Sequence, residues 1–189
     1  GTSNVAVGAY ALDANTTADN NTAVGHASLG ANTTGTANVA VGANALDTNT
    51  TGGYSVAIGA NALDANSTGS FNTAVGQASL FTNTTGGQNT AVGYFALKVN
   101  TTADKNTAVG SLAMESTTTG ANNTAVGYEA LNENTTGQNN VAIGDRSLEK
   151  NTEGNENVGI GQFALGLNTT GDRNTAVGYA ALDANTTAS

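Results

Sequence analysis

Cysteine, proline and tryptophan are absent from this chain, one histidine is present, and charged residues fill only 10% of its 189 positions. Without cysteine there is no disulfide framework and no thiolate metal site. The five basic residues, Lys98, Lys105, Arg146, Lys150 and Arg173, are scattered. Nucleic acid or an anionic membrane would need them clustered, so neither is an expected partner. Against 14 acidic residues they leave a formal net charge of −9, which suits a soluble surface that repels other acidic surfaces. No run approaches the roughly 18 apolar residues of a membrane-spanning helix, so no membrane insertion is expected. Such a composition can signal disorder, but disordered chains are rich in Pro, Glu, Lys and Ser. Here Gly, Ala, Asn and Thr dominate, and the few larger apolar residues are strictly placed.

That placement is periodic. A Val/Ile-Gly dipeptide recurs with its glycine at Gly8, Gly25, Gly42, Gly59, Gly76, Gly93, Gly110, Gly127, Gly144, Gly161 and Gly178, at a constant interval of 17. The consensus NTAVGxxALxxNTTGxx, without insertion or deletion, is the signature of a repeat architecture. Before each glycine stands a β-branched, small, β-branched triplet, the pattern of a short strand with period two. The expectation is that Val7, Val24 and Val41 face the core with Leu12, Leu29 and Leu46. The opposite face, carrying Ala6, Gly8, Ala23, Gly25, Ala40, Gly42, Ala74, Gly76, Ala91 and Gly93, then becomes a flat seam for self-association. The alternative is a narrow interior into which Ala points. Ala or Ser stands beside each Leu, and two constrained neighbours on a strand point to opposite faces, so a bend or a second contact is implied.

Asn15, Asn32, Asn49, Asn66, Asn83 and Asn100 open the Asn-Thr-Thr-Gly turn segments. Asn and Gly favour turns, and stacked Asn amides can bond along their own column as in cross-β ladders. A second Asn column runs from Asn4 to Asn174 and is broken only by Ser55. The fold predicted is all-β: a parallel β-solenoid of eleven 17-residue coils in one array over 1–189. At roughly 4.8 Å per coil this is a rod about 50 Å long. One coil buries too little to offset the entropy of ordering it, so stability is collective. Neither end carries an atypical polar coil, which predicts either further coils or end-to-end stacking of subunits. Gly1 in place of Met reads as a mature product or an excised stretch.

The NTAVG and SVAIG segments (Asn72 to Gly76; Ser55 to Gly59), followed by Ala-Leu and Asn-Thr-Thr-Gly, resemble the head repeats of trimeric autotransporter adhesins. They are still more similar to repeat arrays of phage tail-fibre-type proteins and related bacterial surface fibres. The resemblance covers the whole chain and implies a left-handed parallel β-roll, three chains side by side, used for adhesion or as a fibre shaft. The adhesin heads have shorter, less uniform repeats, and no neck, stalk or anchor stands in this sequence.

No catalytic, cofactor or metal site is expected. His26 is alone and occupies a column otherwise filled by Ala, Gln, Tyr, Ser or Asp; a triad needs three convergent groups. Asp13, Asp47, Asp64, Asp183, Glu115 and Glu149 share the column after Leu, one carboxylate per coil, whereas calcium takes six to eight oxygens. Nine coils carry an Asn-x-Thr acceptor triplet, better explained as ladder asparagine. The Thr rows suggest ice binding as a minor alternative, although the strand Thr column is interrupted by Val in five coils. Tyr94, Tyr128, Tyr179, Phe95 and Phe163 occupy columns that also accept charge, so they are exposed contacts rather than core. The sequence thus points to a non-enzymatic structural protein of an extracellular, cell-surface or virion-attached fibre. Its expected partners are identical chains, as a homotrimer or an end-to-end filament. The alternative is an adhesin module for a cell-surface or glycan receptor.

Overall fold

A β-branched residue on each side of a small one favours extended backbone, and every coil contains one three-residue strand built this way, from β1 (Val5–Val7) to β11 (Thr175–Val177). The computed structural model describes all residues, Gly1–Ser189. Its eleven strands form one parallel sheet in sequence order, each paired only with the preceding and following coil. The register is a shift of one repeat, so Val5 lies on Thr22, Ala6 on Ala23 and Val7 on Val24. The chain is therefore a parallel β-solenoid.

The remaining sides of each coil are not strands, yet they are laddered as regularly. After the strand comes the repeat glycine at φ +125° to +142°, a region only glycine occupies comfortably. A Cβ on Gly42 would also stand 2.5 Å from the Gly59 carbonyl oxygen of the next coil. Two residues later, at Tyr10, Ala27 and Asn44, φ is again positive, as it is two residues further on, at every Leu and at Met114. This alternation reverses the direction of successive peptide groups. Ala27 N–H donates to Ala9 of the preceding coil, whereas Leu29 N–H donates to Ala45 of the following one. It also turns the chain so that neighbours fall on the same side: Ala45 and Leu46 are both fully buried. The bend implied by the Ala-Leu pair lies here.

The strand faces are the reverse of the sequence expectation. The Ala column points inward: Ala23, Ala40, Ala74 and Ala91 are fully buried and join the leucines in one core cluster. Val7 is exposed, Val24 and Val41 are half-buried, and in the later coils the column is exposed outright. The reason is width. One turn of 17 residues encloses a narrow interior in which Leu already fills most of the section. A Cβ built on Gly159, the one strand glycine in this column, would meet Ser147 Oγ at 2.7 Å and Leu148 Cγ at 3.3 Å. A methyl group uses all the available room, and an inward valine would collide. Among the residues proposed for a small-residue seam, Ala23, Ala40, Ala74 and Ala91 are therefore interior. Ala6 is exposed only because no coil of this chain covers it on its outer side. Gly25, Gly42 and Gly76 are half-buried at the strand's end and exist for their backbone conformation.

Two substitutions separate the two face assignments. Ala91→Val is expected to destabilise by about 1–3 kcal/mol through overpacking. Val92→Thr, on the outward side, should leave the thermal midpoint of the isolated chain within about 0.5 kcal/mol equivalent. Thermal melts showing the opposite order would restore the valine core.

Candidate functional site

Inside the rod, two asparagine columns converge on one carbonyl per coil. Asn49 Nδ2 donates to Asn32 Oδ1 of the preceding coil at 2.9 Å and to Gly52 O at 2.9 Å. From the other column, Asn38 Nδ2 reaches the same Gly52 oxygen at 2.9 Å, and its backbone N–H takes Asn21 Oδ1. Asn15, Asn32, Asn49, Asn66, Asn83 and Asn100 are all joined in the first column. From Asn32 to Asn100 these side chains are fully buried. Their amides are thus spent inside the fold and present no acceptor for a sugar.

A third ladder was not foreseen. The first Thr after each asparagine donates its hydroxyl to the same residue's carbonyl in the next coil, as in Thr33 to Thr50 at 2.9 Å and Thr84 to Thr101 at 3.0 Å. The second Thr (Thr34, Thr51, Thr85) is exposed. Its signal in the sequence was the pair of exceptions: Ser67 keeps the hydroxyl in the bonded column, and Glu153 abandons it in the free one.

The outward strand face is uniform along the rod. It carries Val or Thr, then Val or Ile, in eleven registered rows, and no charged residue occurs in the segment from strand-flanking Asn to repeat glycine in any coil. Val92, Val109, Val126, Ile143 and Ile160 keep 36–39% of their surface exposed although identical neighbours cover them above and below. All 19 charged residues lie in other columns.

Just past the strand runs an edge of aromatic and charged side chains. Tyr94 and Phe95 stack at 3.9 Å between centroids, with Lys98 Nζ 4.1 Å from the Phe95 centroid. Further along, Arg146 lies between Tyr128 and Phe163, 5.6 and 5.9 Å from their centroids, and donates to Glu129 at 2.7 Å. That bond holds the Glu129 carboxyl below its ordinary value. Phe163 meets Tyr179 edge-on at 6.3 Å. The five aromatics named from the sequence thus lie on one edge of the rod, with Phe95 and Phe163 half-buried and the tyrosines exposed. His26 packs edge-on against Tyr10.

The asparagine ladder has one fault. Thr117 replaces Asn, and Asn100 Oδ1 and Thr117 Oγ1 are buried without partners. Above the fault Asn134 Nδ2 retains only Gly137 O. Ser55, the exception in the other column, keeps its rung, because its hydroxyl accepts from Asn72 N–H at 3.2 Å. Thr117→Asn is expected to raise stability by about 1–3 kcal/mol, by giving Asn100 Oδ1 a donor and removing the orphan hydroxyl. Hydrogen exchange of the flanking amides should slow in parallel, and unchanged stability would mean that water already completes the rung.

In the acidic column, burial first and the neighbouring Asp47 second push the Asp64 carboxyl above its ordinary 3.8. The folded chain then binds this proton more tightly than the unfolded one, so the contribution is lost as pH rises from 3.8 through the raised value. Asp64→Asn should melt like the parent at the acid end of that window and progressively higher than it towards neutrality. A constant difference across a pH series of melts would remove the linkage.

No protein-family model matches this chain, and no curated protein or solved structure matches it.

Proposed function

We propose that the chain is a non-enzymatic shaft element of an extracellular, cell-surface or virion-attached fibre, in which identical chains bury their outward strand faces against one another. One observation carries this: a flat, uncharged, β-branched face runs the length of a rod whose other columns hold a net charge of −9. Apolar exposure of this kind, contiguous and bordered by polar groups, marks an interaction surface.

Size favours more than two chains. Eleven rows at about 4.8 Å, two columns wide, give a face on the order of 400–500 Å². A stable pair buries about 800 Å² per partner. Each chain must therefore engage two neighbours, or extend the contact onto the aromatic edge beside the strand. A closed group of three, the arrangement implied by the likeness to autotransporter heads and tail-fibre arrays, does both. The ladder also fixes the register of any coil placed against either end, from the same chain or another copy, since it would bond there as Gly178 N–H bonds the Ile160 carbonyl.

The measurement is sedimentation of the purified chain and of Val92→Lys/Val126→Lys, with circular dichroism as a check on folding. A homo-oligomer that falls to a folded monomer in the double variant is expected, and a parent that sediments as a monomer would sink the proposal. A second reading has one observation in its favour: the strand Thr column, at six of eleven coils, lies on this same outward face. A monomeric parent that opened a gap between melting and freezing points would make the face an ice-binding plane.

A further inference from the structure

Tyr54 and Phe71 were not among the contacts expected from the sequence, yet they form an aromatic pair in which both rings are exposed. They occupy equivalent positions in adjacent coils, at the corner before the strand, with positive φ at both. Their rings are 60% and 58% exposed and stack nearly parallel, at 6° with centroids 5.2 Å apart. Two stacked rings could serve merely to cover each other. What lies beside them argues for more.

Phe71 forms one wall of a shallow groove of about 270 Å³ that crosses three coils. Gly87 floors it, and Asp104 closes it after taking the Gly87 N–H on Oδ1 at 2.6 Å, which leaves its other oxygen free. Gln88, Thr68 and Thr85 line the rest, and their side-chain polar atoms have no partner in the protein. No cation lines the groove. The ligand this fits has one apolar C–H face for the ring, hydroxyl groups around its edge for an amide, a carboxylate and two hydroxyls, and no negative charge. A pyranose ring meets each condition. The volume lies near the lower limit of small-molecule sites, about 300 Å³, which is the scale of a single sugar unit. The groove is open, so an internal unit of a chain can lie across it. The carboxylate is bonded into the ladder and stands alone, with no second acid opposite, so the site binds without hydrolysing.

We infer that the Phe71–Gln88–Asp104 groove binds one unit of an uncharged polysaccharide, with Tyr54 bracing the Phe71 ring from its other face. This goes beyond the assembly reading and uses no residue of the strand face.

Native gels test it with the full chain, which migrates as an anion at neutral pH given its sequence pI of about 4.1. The gels are cast with soluble β-glucan, mannan or xylan, and in parallel with dextran sulfate. Retardation by at least one neutral polymer is expected. Phe71→Ala should weaken it about tenfold, Asp104→Asn a few-fold, and both variants should sediment like the parent. Retardation by no neutral polymer, or by dextran sulfate alone, would overturn the inference. So would a Phe71→Ala chain that still binds, or one whose sedimentation changes, since the ring pair would then belong to the chain-to-chain contact. Loss of assembly in the strand-face variant with sugar binding intact would separate the two claims.

Discussion

Three residues per coil that are not glycine sit in the left-handed region, among them every leucine of the core. For an L-residue this conformation costs roughly 1–2 kcal/mol, and a short coil has no local means of offsetting it. The offset comes from the neighbours. Away from the termini, the N–H of each such residue is bonded to the coil above or below, with opposite sense at Ala27 and Leu29. A coil thus keeps its shape only while two others hold it. The invariance of the 17-residue interval follows, because one inserted residue would shift glycine, leucine and both asparagines out of register with their counterparts on either side. A rod built so is cooperative along its length and stiff, which is what a shaft requires.

The period, the strand triplet and the asparagine columns were legible in the sequence because each is a constraint repeated eleven times. Which side of the strand is inside was not. Period-two alternation separates two faces without naming them, and the habit of placing valine in and alanine out presumes a wide core. The deciding quantity is the cross-section of the coil, which depends on the left-handed turns at Leu and at the residue two before it, and nothing in Leu or Tyr as residue types announces positive φ. One clue was present: the column of Val5, Thr22 and Val39 exchanges valine for threonine freely, as a surface column can, while the column of Ala23 yields only to Gly159. The aromatic edge was legible because charge shared its columns. The Tyr54–Phe71 pair was not, since its column holds Ser, Asn, Ala, Gln, Lys, Glu and Arg elsewhere and reads as a variable turn.

Division of labour between columns connects this packing to function. Interior columns are nearly fixed, whereas the outward turn columns vary from coil to coil and carry all the charge, most of the aromatics and the one groove that has a ligand's chemistry. Variation there does not disturb the ladder, because most of those side chains contribute only their backbone to it. The corner two residues before the strand-flanking Asn is an exception: Asp104 and Asp172 accept the N–H of Gly87 and Asn155 from the coil before. A recognition surface can therefore change along the rod while the scaffold beneath it stays the same.

The outward face must also avoid indiscriminate association. Its strands are already paired on both sides except at the termini, so contact between chains runs through side chains and cannot propagate as added strands. Threonine at six rows leaves hydroxyl groups that keep the free chain hydrated. No acidic residue lies between the strand-flanking Asn and the repeat glycine, so a small closed group of the kind proposed would bury the uncharged faces and turn the carboxylates outward. A further chain approaching that group would meet a net like charge, and at −9 per chain the repulsion would grow with each copy already assembled. In the proposed assembly, charge placement thereby favours a thin fibre of few chains over a broad lateral sheet.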